Sequence, residues 1–600
     1  MPTTTRIRGL TRLWTLRSEA PAAGLAGSLT DRVLASRGLA DAEAATEFLS
    51  PTLNGLHDPS RIPHLDRAAE RILAALRGGE PVVIFGDYDV DGITATCILW
   101  RMMRAIVPEA SIESYIPHRL DEGYGLNEEA VGTLANRGAK VIVSVDCGIT
   151  AVEPARVAKE LGVDLIITDH HNPPASHADL PDAFAVVHPR HPDSDYPFGE
   201  LCGAGVAYKL AWRLATLASE NSVEESTADG KVRPDLRVLL IELLGPCTLG
   251  VIADLVPLVD ENRVIAKFGL PRIHGSSFIG LQALQEASGL GGNKVSEEDL
   301  GFRLAPRLNA IGRLGHAADA VELMMTDDPV RARQIAGWLS KLNDERRAVE
   351  RKIVTQACEM AEAAGMTGPD RRAIVLAHED WHPGVVGIVC SRLVEKYARP
   401  TILMQNQGER CAGSGRSLEG FNLHGAMGDC SHLLTTFGGH NMAAGLKLDT
   451  ANLDAFTQAF IERVGTELGS DDLVRPLRYD GDATLDELTP ASIKDLRRLA
   501  PFGMGNASVR VRVRGLRVQG RPEPFGKAGT HLSLRLRDAA AGPSGPEIRA
   551  IAWGWAQHLD SIPPGSVIDA VLTPQINSWG GRDRVEPVIE DVRLNNPEPA

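Results

Sequence analysis

The heptapeptide GDYDVDG sets Asp87, Asp89 and Asp91 at alternate positions directly after the apolar run 82–85. Three carboxylates crowded at the end of a buried strand repel one another unless cations neutralise them or solvent screens them, and a hard divalent ion is the natural neutraliser. The loop also matches the first half of a calcium EF-hand. That motif needs a glutamate at its twelfth position, which is Ile98 here, and a helix rather than a strand before it. Taken alone, the loop is more readily read as a solvated acidic turn. Two other apolar runs end in the same way: 141–145 delivers Asp146, and 165–167 is followed by Asp169, His170 and His171. Asp254, in GVIADLVPL, is an acid inside an apolar stretch, where an unpaired charge is costly. Together these side chains offer oxygen and nitrogen ligands for two divalent metals, a set that activates water and clamps an in-line phosphoryl displacement.

Such groups converge only if parallel strands carry them. Apolar residues take helical spacing over 93–107 and around 152–161, alternating with strand-like runs at 82–85, 141–145, 165–167 and 185–187. The alternation predicts a parallel sheet with helices on its faces, whose ligands bind beyond the carboxyl ends of the strands. The polar stretch 220–231 reads as an exposed loop, and 236–244 resumes a helix. Asp328 and Pro329 cap a long connecting helix carrying Ile335, Leu339, Leu342, Val349, Ile353 and Met360 on its apolar face. A second alternating unit follows: a strand at 373–376, a helix at 385–397, a strand at 401–404, then glycine-rich loops in GSGRS and FGGH. From about 473 short alternating segments (509–514, 532–536, 548–553) predict a terminal β-barrel or sandwich. The predicted division is an N-terminal extension 1–75, a catalytic domain 76–265, a helical connector 266–364, a second α/β domain 365–470 and a β domain 473–596.

Six hundred residues at roughly 150 per domain fit about four domains. Lys and Arg number 63 against 78 Asp and Glu, a net charge of -15, which excludes an unspecific basic coat and confines any polyanion contact to a local groove. The eight cysteines lie far apart with no C-x-x-C pair, so reduced cytosolic thiols are expected rather than a zinc ribbon or disulfide framework. No export signal is read at the N-terminus. Apolar runs are cut by charges or proline well short of about 18 residues, so a cytoplasmic chain with no membrane span is expected.

In order, GDYDVDG, VDCG, TDHH and GVIADLVPL resemble the motifs of the DHH phosphoesterase superfamily. With YIPHRLDEGYGL, LAPRLNAIGR, GSGRS, FGGHNMAAG, PFGMGN and NSWGG, the likeness to the bacterial RecJ-type single-strand-specific exonucleases extends over residues 80–580. The resemblance implies an α/β fold: a parallel-sheet DHH domain, a long helix, a smaller DHHA1-type α/β domain and a C-terminal β-barrel of the OB type. It implies one metal on Asp89 and Asp146, with Asp87 standing where other branches use histidine, and a second on Asp91, His170 and Asp254, with Asp146 bridging. The two ions would be Mn2+ or Mg2+. His171 would contact the scissile phosphate or assist the leaving oxygen, with Asp169 orienting an imidazole. Arg119 would clamp a terminal 5′-phosphate, and Tyr124 would either stack on a base or pack its own loop. Ser414, Arg416 and His440 look like phosphate contacts. Arg307, Asn309 and Arg313 would face the same groove, unless the arginines pair with acids. The implied activity is 5′-to-3′ hydrolysis of single-stranded DNA to 5′-mononucleotides in repair and recombination, with a helicase supplying unwound ends and a single-strand-binding protein as possible company. The alternatives are a DHH-type phosphodiesterase on nano-RNA or cyclic dinucleotides, and an inactive binding relative.

Three readings rest on the residues alone. His177, His188 and His191 lie in a proline-rich loop and are expected to be solvated, although His188, at a strand end, can face the cleft. Trp381-His382-Pro383 is either a stacking platform or a buried anchor. The run VRVRVR places Arg510, Arg512 and Arg514 on one face of a strand by its period of two, either tracking a phosphate backbone or merely solvated. It departs from the more apolar segment associated with the family after PFGMGN.

Overall fold

The computed structural model describes residues 6–18, 27–118, 122–123, 125–220, 232–542, 545–578 and 583–595. Two compact units divide the chain: 50–347 with 501–507, and 1–49 with 348–500 and 508–600. The polar stretch 221–231 lies outside the described residues.

In the first unit the Val- and Ile-rich runs are buried strands of a five-stranded, all-parallel sheet. Its order is Ile112–Tyr115, Val82–Gly86, Val141–Val145, Asp164–Thr168, Ala185–Val187. Helices Val90–Ile106 and Gly203–Glu220 pack on one face, and helices Glu128–Asn136 and Val152–Glu160 on the other. Burial on both faces explains why the strands read as continuous apolar runs. After the first strand the chain adds the second on one side, then crosses back to place the third on the other. The loops after Val82–Gly86 and Val141–Val145 therefore flank a topological switch point.

The helix expected at 236–244 extends over Pro234–Ala253, continuing through Glu242 and Pro246. Among the described residues it is the one helix with the length and apolar composition of a membrane span, which corrects the expectation that charges and proline cut all such runs short. Leu243, Leu244, Cys247, Leu249 and Val251 are buried, and the helix packs against Gly203–Glu220 and Asp260–His274. Packing against several elements accounts for its apolar circumference.

The predicted long helix is Pro329–Ala363, 35 residues. In the second unit a five-stranded sheet runs Thr436–Gly439, Ala443–Asp449, Arg410–Arg416, Thr401–Asn406, Ile374–His378. GSGR and FGG, expected in loops, are strand residues. Glycine at 413 serves close packing instead, since a Cβ there would lie 2.1 Å from the Leu403 carbonyl oxygen. Beyond this sheet, Val511–Val518 pairs with both His531–Asp538 and Val567–Thr573, and Glu547–Ala552 and Val588–Leu594 complete the circuit. That closure decides for a barrel over a sandwich.

The N-terminal strands Arg6–Arg8 and Leu13–Leu16 join this unit through parallel pairing of Leu13–Leu16 with Pro476–Tyr479. Asp591, fully buried in the barrel, accepts hydrogen bonds from Trp14 Nε1 (2.8 Å), the Thr11 amide (3.0 Å) and hydroxyl (2.9 Å), and the Arg12 amide (2.9 Å). Asp591→Ala would strand these donors and is expected to destabilise the unit by about 3 kcal/mol or more, read as a lower urea midpoint.

Candidate metal centre

Each candidate ligand is placed by the end of a regular element. Asp87 follows strand Val82–Gly86. Asp89 is the N-cap of helix Val90–Ile106, its Oδ1 accepting the amides of Asp91 (2.9 Å) and Gly92 (3.2 Å). Gly92 is required there, because a Cβ would approach the Asp87 backbone to 2.5 Å. Asp146 follows strand Val141–Val145 in a left-handed conformation, φ 62°, anchored by its amide to the Thr168 carbonyl at 3.0 Å. Asp91 accepts the amides of Gly203 (2.6 Å) and Ala204 (2.8 Å), so its carboxylate caps a second helix. Asp254 sits at the opposite pole, the C-cap of helix Pro234–Ala253, where the helix dipole disfavours an anion and favours a nearby cation.

Asp87, Asp89 and Asp146 bring ligand atoms within 4.8 Å of one another, and so do Asp91, His170 and Asp254, and Asp146, His170 and His171. His170 Nε2 lies 3.2 Å from Asp146 Oδ1, 3.5 Å from Asp254 Oδ2 and 3.8 Å from Asp91 Oδ2. Burial, then the charges of Asp91 and Asp89, push the Asp146 carboxyl far above its ordinary range. The same causes raise Asp254 to about 8, and burial with the Asp91 charge raises Asp89. Burial also depresses His170. Asp146 Oδ1 and His170 Nε2 are buried without a hydrogen-bond partner although they point into one space. Crowded carboxylates, a neutral imidazole and unsatisfied ligand atoms fit divalent cations.

Asp169 differs from the candidate ligands. It accepts the amides of Ile149 (2.9 Å), His170 (2.7 Å) and His171 (3.1 Å), and its Oδ1 is 2.8 Å from His171 Nδ1. Burial raises this carboxyl, but the His171 ring and the amides reverse the effect and leave it at about 2. Burial lowers His171 in turn, and the Asp169 hydrogen bond and charge overcome that to hold it at about 9.

His188 and His191, expected to be solvated, are buried, whereas His177 is exposed. Burial depresses His188 to about 4. Its Nδ1 accepts the Arg190 amide at 2.9 Å and its Nε2 donates to the His171 carbonyl at 2.7 Å, while Arg190 Nη2 donates to the His170 carbonyl at 2.6 Å. The pair therefore backs the histidine dyad from behind. His177, His191 and Asp193 form a further cluster of ligand types. Its His191 Nδ1 lone pair is taken by the Asp193 amide at 3.2 Å, so the cluster reads as a hydrogen-bonded loop rather than a metal site.

Of the expected nucleic-acid contacts, Arg119 and Tyr124 lie outside the described residues. Asn309 Oδ1 accepts the Val90 amide at 3.1 Å, bringing helix Ala305–Leu314 against the acidic loop. Arg307, half-buried on that helix, donates to Ser340 Oγ and the Arg303 carbonyl, and Arg313 is also half-buried. Ser414 and Arg416 share a face of strand Arg410–Arg416. Gly387 leaves them room, a Cβ there falling 3.2 Å from Arg416 Nη2 and 3.4 Å from Ser414 Oγ. His440 is exposed in the turn before Ala443–Asp449. Trp381 is a buried anchor, its Nε1 donating to Gln356 at 3.0 Å.

The arginine strand is corrected. Arg512 is buried and bidentate on Asp482 (2.6 and 2.9 Å), Arg514 also reaches Asp482 (2.5 Å), and the Arg510 amide donates to Asp480 (2.9 Å). Period two places the arginines on one face, where Asp482, thirty residues upstream, pairs with Arg512 and Arg514. Elsewhere on the barrel the exposed Trp553 packs with Phe525 and His531, centroids 5.6 and 4.8 Å away. Arg521, Arg535 and Arg549, each within 4 Å of an acid (Asp560, Glu523 and Glu586), line a hollow of about 290 Å3 together with Glu523 and Ser533. The signal for this cluster lay in the alternation of HLSLRLR and EIRAIAW, which the arginine run at 509–514 overshadowed.

A parallel sheet that gathers carboxylates and a histidine pair at its switch point is the core of a DHH protein, and residues 81–231 match the DHH family, N-terminal domain. Residues 370–466 match the DHHA1 domain and 479–591 the RecJ OB domain. The chain is 37% identical over 569 residues to the single-stranded-DNA-specific exonuclease RecJ of Bacillus subtilis, covering 94% of this chain and 68% of that protein. It is 33% identical over 580 residues to RecJ of Dickeya dadantii, covering 94% and 95%. The crystal structure of RecJ with Mn2+ from Thermus thermophilus superposes with a TM-score of 0.79 at 30% identity, covering 100% of this chain and 81% of the other. This chain belongs to the RecJ family.

Proposed function

We infer that the chain is a divalent-metal-dependent exonuclease acting on single-stranded DNA. The observation that carries this reading is the convergence of two ligand groups, Asp87, Asp89 and Asp146 beside Asp91, His170 and Asp254, at one switch point. Relatives named as single-stranded-DNA-specific exonucleases, and RecJ structures holding Mn2+ and Mg2+, support it. Each group would hold one ion, with Asp146 shared between them. When bound, Mn2+ or Mg2+ supplies Lewis acidity at the scissile phosphate and lowers the pKa of the attacking water. The chain's own residues do the rest. Asp169 fixes the His171 ring through Nδ1, so that it can contact the phosphate or assist the leaving oxygen. Asn309 steadies the acidic loop. Arg119 clamps the 5′-phosphate, which sets 5′-to-3′ direction and release of single 5′-mononucleotides.

The strand's further length is carried by Ser414, Arg416 and His440, and on the barrel by Trp553, Phe525 and His531 with the neighbouring arginines. Stacking on such an aromatic surface is worth about 1–3 kcal/mol per base. Trp553→Ala is accordingly expected to weaken binding of a long oligonucleotide roughly 5- to 150-fold by fluorescence anisotropy, with kcat unchanged. Selectivity for single strands calls for unwound ends, so a helicase that supplies them and a single-strand-binding protein are the partners expected, in the cytoplasm.

The test is the purified chain with Mn2+ on a 5′-phosphorylated oligonucleotide, the matching blunt duplex and a dinucleotide. Stepwise mononucleotide release from the single strand, with the duplex spared and the dinucleotide slower, is expected. Equal rates on the duplex, or preference for the dinucleotide, would overturn the reading.

A further inference from the structure

Helix Pro234–Ala253 ends at Asp254, and the next residue, Leu255, takes φ 60°. This is the position after a helix C-cap where glycine is ordinarily found, because a side chain in the left-handed region meets its own backbone. A leucine there is strained, and here it is also 64% exposed. Burial does not compensate it, and it immediately follows a carboxylate of the metal centre.

A second exposed apolar side chain arrives from far along the sequence. The segment PFGMGN folds back into the first unit, where the Leu258 amide donates to the Met504 carbonyl at 2.8 Å and the Phe502 amide to Glu297 at 2.8 Å. Gly505 and Gly503 permit this approach, since Cβ atoms there would lie 3.0 Å from Pro257 and 2.8 Å from Leu258. Met504 is left 54% exposed, its carbonyl bonded three residues beyond Leu255.

We propose that Leu255 and Met504 form an apolar shelf that grips the nucleobase next to the scissile phosphate. The inference rests on the exonuclease reading and adds to it a base-binding subsite with a source of strand selectivity. Because Leu255 directly follows Asp254, a phosphate held at the metal centre would bring its base toward this side chain. Only an unpaired, unstacked base has a face to offer an apolar surface, so a paired end would lose this contact. On this account the strain at Leu255 is retained for the contact.

Leu255→Gly separates strain from contact. The variant is expected to melt at or above the native temperature, while KM on a single-stranded oligonucleotide with Mn2+ rises about tenfold and kcat changes less than twofold. Met504→Ala shifts KM in the same direction, and Leu255→Met restores it. On a substrate abasic at the two nucleotides flanking the cleaved bond, the native protein's KM rises by the same factor, and Leu255→Gly no longer distinguishes the two substrates. An unchanged KM for Leu255→Gly, or native-like discrimination against the abasic substrate, would overturn the shelf while leaving the exonuclease reading intact. A native protein without metal-dependent hydrolysis of single strands would overturn both.

Discussion

Asp146→Asn is expected to remove nuclease activity by at least about a thousandfold while raising the melting temperature of the metal-free protein. The two effects have one origin. Asp146 is buried among Asp87, Asp89, Asp91 and Asp254, and its carboxylate is held against their repulsion and its own desolvation. Asparagine keeps the shape and tolerates the left-handed backbone at φ 62°, so the fold is retained and the repulsion relieved. The side chain proposed to serve both ligand groups is then neutral and would hold cations poorly. Thermal scans in EDTA and in Mn2+ check both halves. Saturating Mn2+ should stabilise the native protein, by about 2.7 kcal/mol when the ion is at a hundred times its Kd, and should barely move the variant. A variant that melts lower in EDTA, or that keeps its nuclease activity, would refute the assignment.

Gly203→Ala should be nearly as damaging, although Gly203 carries no ligand atom and alanine is the better helix former by about 1 kcal/mol. The added Cβ would lie 2.5 Å from Asp146 Cβ and 2.6 Å from its Oδ1. The Asp146 backbone is anchored by its bond to Thr168, so the side chain must swing away. A displacement of that order costs roughly a hundredfold in rate and tenfold or more in metal affinity. Combined with Asp146→Asn it should cost almost nothing further, because both changes act through one side chain. Titration of Mn2+ against activity in the two single variants and the double variant measures this; additive losses would show that Gly203 acts elsewhere.

Much of the site was legible because its residues end regular elements. Asp87, Asp146 and Asp169 each follow a strand whose apolar run is visible in the sequence, and a parallel sheet sends all such ends to one edge. The closures were harder to see. Nothing near Asp91 in sequence shows that helix Gly203–Glu220 will cap it, and nothing near Asp169 shows that His188 and Arg190 will brace the dyad it orients. The glycines of GSGRS suggest a mobile loop until the neighbouring strand, pressed against Gly413, shows them to be packing residues. The arginine run 510–514 illustrates the same limit: its face was certain, but its partner Asp482 was not.

The sequence by itself determined which side chains stand at the strand ends and which faces the periodic segments present, because backbone geometry repeats over two or 3.6 residues and needs no distant partner. Only the tertiary structure decided which carboxylates share a space, which nitrogen of His171 is engaged, and whether an arginine meets Asp482 or solvent. Those distances are set by sheet order and helix packing between segments tens to hundreds of residues apart, and local periodicity carries no record of them.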